Sequence, residues 1–173
     1  MYNKIKHGFT LAELMAVIII ISILAALSAG YYRRSVEQAR FAEGLMDVSA
    51  IVEAINRLCV ERRTQGVACN SNLRLTNLDI DISRTGMAEG GCESEQCITS
   101  SFRITFDPLG DGTVVATRNG GPYNGAYSIQ MRPHFVATDR DQIFCVGHTQ
   151  TGQSFCESMG YTSCAEHKCV KPI

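Results

Sequence analysis

Glu13 sits where a carboxylate is costly. Residues 9–30 read FTLAELMAVIIIISILAALSAG, and residues 14–29 carry no charge at all. As a helix this stretch is roughly 33 Å long, about the thickness of a bilayer's hydrocarbon core. A carboxylate inside it costs about 2.5–3.5 kcal/mol on insertion scales and is expected to have a partner. No basic side chain lies on the same helix face within the apolar run. The partner must come from elsewhere. The α-amino group of a neighbouring chain is the obvious candidate, provided cleavage before Phe9 places that amine at the same depth.

Two ordinary readings account for the segment less well. A secretory signal peptide has a shorter, uncharged apolar region and is discarded; Ala26 and Ser28 offer small residues for cleavage, but Glu13 fits badly. A plain membrane anchor leaves Glu13 without a role. Lys4, Lys6 and His7 precede the span and Arg33 and Arg34 follow it, so the charge bias is weak by count. Lys4, Lys6 and the free amine favour a cytoplasmic N-terminus.

The second group with chemical potential is sulfur. Cys59, Cys69, Cys92, Cys97, Cys145, Cys156, Cys164 and Cys169 all follow the apolar segment. An even count on one side of a membrane-length helix indicates an exported, oxidised domain. Proximity pairs Cys59 with Cys69 and Cys92 with Cys97. The last four cysteines allow three connectivities, which sequence does not choose between. Cys145 with His148, and Cys164 with His167 and Cys169, can be drawn as a zinc site, but the disulfide reading is favoured by the compartment. Asp107 and Asp111 lack the spacing of a calcium loop and read as a hairpin turn. No metal and no cofactor is expected. Nucleophile motifs, phosphate loops and dinucleotide fingerprints are missing, so the chain is not read as an enzyme. The formal net charge of −1 gives no bulk basic excess for nucleic acid, which is unlikely as a partner on charge alone.

The string Lys6-His7-Gly8-Phe9-Thr10-Leu11-Ala12-Glu13-Leu14 closely resembles the prepilin motif of type IV pilins and type II secretion pseudopilins. The resemblance implies that a prepilin peptidase cuts between Gly8 and Phe9 on the cytoplasmic side. It implies N-methylation of the new Phe9 amine, retention of the apolar segment, and pairing of Glu13 with the Phe9 amine of an adjacent subunit during assembly. Removing residues 1–8 takes away Lys4 and Lys6 and moves the formal charge from −1 to −3. The likeness is strong over the first 30 residues and weak to about residue 60. It departs from many pilins at Gly30, where they carry proline, and at Ser22, where they carry glycine.

The positioning elements follow from periodicity. Phe41, Leu45, Val48, Val52, Ile55 and Cys59 form one apolar stripe at helical spacing, and no proline interrupts residues 9–59. One helix of roughly 75 Å is predicted. Its first half is apolar all round; Ala25 and Ala29, and Ala26 and Gly30, are spaced for close helix approach. Alternation and turn signals predict strands near 102–106, 113–117, 126–131 and 142–146. The expected fold is α+β and pilin-like: a long N-terminal helix packed on an antiparallel meander of about four strands, with a disulfide-closed C-terminal loop region. The expected divisions are a leader at 1–8, a transmembrane and polymerisation half at 9–30, and a head at 31–173. Within the head, 31–59 is amphipathic helix, 60–101 a connecting loop, 102–147 the sheet and 145–173 the disulfide-rich tail.

The expected role is that of a structural subunit of a type IV pilus, a surface fibre for adhesion, twitching motility or DNA uptake. The alternatives are a type II secretion pseudopilin or minor pilin and, from another class, a membrane-anchored extracellular binding domain. The expected partners are copies of itself in a helical homopolymer, the prepilin peptidase, an assembly platform of the pilus or type II secretion kind, and inner-membrane lipid before assembly. The expected locations are a single pass through the inner membrane with an exported head, then an extracellular fibre.

Overall fold

A computed structural model describes residues 10–69, 73–80, 87–92, 96–106, 112–134, 142–165 and 168–171. Helix α1 (Leu11–Thr64) is followed by strands β1 (Met87–Cys92), β2 (Gln96–Thr99), β3 (Phe102–Phe106), β4 (Val114–Arg118), β5 (Tyr127–Met131) and β6 (Ile143–Gly147). Helix α2 (Gln150–Ser158) and strands β7 (Ser163–Ala165) and β8 (Lys168–Val170) complete the chain. The chain divides into two units after Ala39.

In the second unit, the predicted stripe of α1 is the buried face. Phe41, Val48, Val52, Ile55 and Cys59 are buried, Leu45 is half-buried, and Ile51 and Ala54 widen the face. The helix stops at Gly66, whose φ of 71° lets the amide of Val67 turn back to the carbonyl of Arg62 at 2.9 Å. Arg57 then holds Asp79 through a bidentate pair at 2.9 and 3.1 Å, and Arg62 donates to the carbonyl of Cys69 at 2.9 Å. These bonds tie the chain leaving the helix back onto it.

The expected α+β architecture is the observed one, with a wider sheet. Eight described strands pair antiparallel in the order β1-β2-β3-β4-β5-β6-β8-β7. The four predicted strands are its centre, β3 to β6. Two further strands, β1 and β2, lie inside the connecting region 60–101, for which the residues suggest no more than one short helix or strand. Gly90 and Gly91 obscure the alternation there, and the partner that makes β2 a strand is β3, not a local signal. The C-terminal region is also more regular than the expected loop. Thr149 caps α2 by accepting from the amide of Gly152, and Phe155 and Cys156 on that helix are buried. The expected turn residues Asp107 and Asp111 lie outside the described residues.

One lateral row runs through the whole sheet. Directly opposed residues are Cys92, Cys97, Ile104, Ala116, Ile129, Cys145, Cys169 and Cys164, in that order across all eight strands. Directly opposed residues share a face. The six inner members are fully buried. Disulfides Cys92–Cys97 and Cys164–Cys169 close the two edge hairpins at the ends of this row. Cys145–Cys156 fastens α2 to β6, and Cys59–Cys69 closes the loop after α1. These bridges span only 5 to 11 residues. On a chain-entropy account each is worth about 2–3 kcal/mol.

An aromatic cluster packs α1 and α2 against β5. Phe41 of α1 packs on Tyr127, Phe155 and Tyr161 at centroid distances of 5.9, 5.7 and 5.7 Å, and Tyr127 stacks on Phe155 at 4.7 Å. Glycine at 152 makes this possible. A Cβ there would lie 1.8 Å from the carbonyl oxygen of Ala126, which accepts from the amides of His148 and Thr149 at 2.8 and 3.3 Å. Gly152→Ala must push α2 off β5 and break those bonds. The full chain in detergent should lose at least about 3 kcal/mol of head stability by urea unfolding, at the upper end of overpacking costs.

Asp47 introduces one electrostatic conflict. Its Oδ2 is buried and finds no hydrogen-bond donor among the described residues. Burial first, and the Glu43 carboxylate one turn earlier second, push the Asp47 carboxyl above its ordinary 3.8. The folded head therefore binds this proton more tightly than the unfolded chain. Folding gains from it at pH below the ordinary value and loses that gain as pH rises through the raised one. Asp47→Asn should stabilise the head at pH 7 by less than about 1 kcal/mol, because half-exposure screens the charge. The gain should vanish when thermal unfolding is repeated near pH 3.5.

Candidate assembly site

The first unit contains one described element, the beginning of α1. Every described residue from 10 to 35 is exposed. Leu11 is 77% exposed, and Ile18, Ile19, Ile20 and Ile21 are 53–57% exposed, so the apolar surface continues all round the helix. Among the described residues this is the one helix long and apolar enough to cross a membrane.

Its polar groups are satisfied within the segment. Ser22 donates to the carbonyl of Ile18 at 2.6 Å, and Ser28 to that of Leu24 at 2.7 Å. Both hydroxyls thus spend their one donor on the preceding turn and keep only acceptor capacity toward a neighbour. Gly30, where many pilins carry proline, is helical, and the helix passes through it unbroken. The small residues Ala25, Ala26, Ala29 and Gly30 lie on this exposed stretch.

Glu13 occupies the third position of α1, and Thr10 caps the helix. The Thr10 amide and hydroxyl both donate to Glu13 Oε2 at 2.8 Å, while the Glu13 amide donates to Thr10 Oγ1 at 3.2 Å. This is a capping box, in which two orphan donors at the helix start are satisfied reciprocally. The negative carboxylate also sits at the positive end of the helix dipole. The Thr-x-x-Glu spacing before an apolar run was the sequence signal for this cap, and the prediction of a pairing role for Glu13 overlooked it. The cap supplies hydrogen bonds from neutral donors. It supplies no formal positive charge. Gly8 and Phe9, the expected cleavage and methylation positions, lie outside the described residues.

The eight cysteines are all in disulfides, and the described residues hold no cluster of three or more metal-ligating side chains. His148, drawn above as a possible zinc ligand, shares a hydrogen bond with Ser128 Oγ at 3.0 Å through its Nε2. Its neighbour Cys145 is bonded to Cys156.

Comparison with known proteins agrees with this geometry. Residues 3–29 match the prokaryotic N-terminal methylation motif. Two fimbrial proteins of Pseudomonas aeruginosa are each 27% identical over 123 residues, covering 71% of this chain and 73% of theirs. No solved structure matches the chain. The chain thus combines an apolar helix opened by a Thr10–Glu13 cap inside a methylation motif with an antiparallel sheet beyond it, and is similar to fimbrial proteins over most of its length.

Proposed function

We propose that this chain is a structural subunit of a type IV pilus, made as a membrane-anchored precursor and polymerised through α1 into a surface fibre. The observation that carries the reading is a carboxylate at the start of an otherwise uncharged, exposed apolar helical segment within the methylation motif. Before assembly, lipid solvates that helix, with its N-terminus on the cytoplasmic side and the head exported. After assembly, the same helices from other subunits cover it. A prepilin peptidase cuts between Gly8 and Phe9, and the Phe9 amine is methylated. An assembly platform then draws the subunit from the membrane. The likeness to two proteins named as fimbrial favours a pilus subunit over a pseudopilin.

The capping box refines the part given to Glu13. Cleavage before Phe9 leaves the Thr10 amide intact, so the cap survives maturation. The Phe9 ammonium of an adjacent subunit then supplies the positive charge that the cap lacks. Both charges lie in a low-dielectric filament interior, where an unpaired one is costly and a paired one specifies register.

N-terminal sequencing of fibres sheared from cells should read methylated phenylalanine followed by Thr10; an intact leader in the fibre would refute the processing scheme. Substitutions at Glu13 separate capping from charge pairing. Glu13→Gln keeps an acceptor for Thr10 but removes the charge, and Glu13→Ala removes both. Both variants should lower fibre yield at least tenfold while the head remains disulfide-bonded and folded. Normal yield from Glu13→Gln would reduce the residue to a helix cap.

A further inference from the structure

Three sulfur-bearing positions stand side by side at one edge of the sheet. Cys145 on β6 is directly opposed to Cys169 on β8, and Cys169 is directly opposed to Cys164 on β7. Their side chains therefore project from one face. The bonds formed are Cys145–Cys156 and Cys164–Cys169. Cys169 thus has a bonded sulfur on one side and, on the other, a sulfur bonded elsewhere. Directly opposed residues in an antiparallel pair have Cα atoms about 4.5–5.5 Å apart, inside the range of about 4.4–6.8 Å that a disulfide spans. A Cys145–Cys169 bond therefore needs no change of strand register.

Exposure gives this arrangement a direction. Cys145, Cys156 and Cys169 are fully buried, whereas Cys164 on the edge strand is exposed. Access decides which sulfur of a disulfide is attacked first. The opposite edge differs. There Cys92 and Cys97 are followed in the row by Ile104, with no third sulfur.

We propose that Cys164–Cys169 is a thiol-exchange site through which the bridges of the C-terminal region interconvert. A small-molecule thiolate attacks the sulfur of Cys164, the residue of the pair that is exposed. The Cys164–Cys169 bond breaks, a mixed disulfide forms on Cys164, and Cys169 leaves as a thiolate. That thiolate is buried, where its charge is costly, beside the Cys145 sulfur. It attacks Cys145, forming Cys145–Cys169 and expelling the Cys156 thiolate, which takes up a proton. One external thiol has been added and the number of disulfides in the chain falls by one, balanced by the mixed disulfide on Cys164. The outcome is that α2 loses its covalent tie to β6 while β8 gains one.

The test uses the full chain in detergent micelles with reduced glutathione, an N-ethylmaleimide quench and non-reducing peptide mapping. The expected product joins Cys145 to Cys169, with Cys156 alkylated and Cys164 glutathionylated. Alkylated Cys169 beside an intact Cys145–Cys156 overturns the proposal, as does a Cys164 that takes up no glutathione. A second measurement needs no added thiol. Cys164→Ala leaves Cys169 as the free thiol, and a mixture of Cys145–Cys169 and Cys145–Cys156 is expected; Cys145–Cys156 alone overturns the exchange. In Cys92→Ala the freed Cys97 should leave the other three bridges unchanged. Scrambling of equal extent in that variant would sink the dependence on the row.

Discussion

The apolar half of α1 cannot be left in water. Eleven large apolar side chains between Leu11 and Leu27 are half or more exposed, or nearly so, along the isolated helix. Covering what remains of their surface is worth on the order of 10 kcal/mol at ordinary transfer values. That is comparable with the whole stability of a domain. The helix satisfies its own backbone and its two serine hydroxyls, so it needs apolar surroundings and no specific polar partner. Lipid meets that need, and so do identical helices. The proposed passage from membrane to fibre rests on that equivalence.

Glu13 is the one charged residue in this apolar stretch. The Thr10 cap gives its oxygens hydrogen bonds and starts the helix at a defined residue. The cap does not cancel the charge, and a low-dielectric interior makes that remainder expensive. Under the proposed pairing, a specific opposite charge selects one arrangement among the many that dispersion and apolar burial would tolerate equally. In such a fibre apolar area supplies most of the attraction, and the single carboxylate supplies discrimination.

The head solves a different problem. Its sheet is wide, with two edge hairpins whose own cores are thin. A buried row crosses all eight strands, apolar in the middle and bridged by sulfur at both ends. The disulfides therefore sit where packing alone is weakest. The helix face from Phe41 to Cys59 lies over the apolar centre, and the aromatic cluster around Tyr127 joins α1, β5 and α2. The close approach at Gly152 shows how tightly α2 is seated. Asp47 is the point where this packing conflicts with solvation.

Much of this was legible in the residues. The Thr10–Glu13 spacing, the uncharged run and the stripe from Phe41 to Cys59 are local patterns with a single period, and local patterns survive without tertiary help. The central strands β3 to β6 were readable because each alternates and is bounded by turn residues. Strands β1 and β2 were not, since a glycine-rich segment becomes a strand only when a neighbour offers a ladder. Helix α2 was hidden among cysteines that suggested loops, although Thr149 carried its capping signal. By itself the sequence determined an apolar rod with one acidic residue, an amphipathic continuation and an oxidised domain. Proximity paired Cys59 with Cys69 and Cys92 with Cys97, and only the folded chain decided how the last four sulfurs meet and that Cys169 stands between two possible partners. Lateral register between strands distant in sequence is set by the sum of many side-chain contacts, and no single segment encodes it.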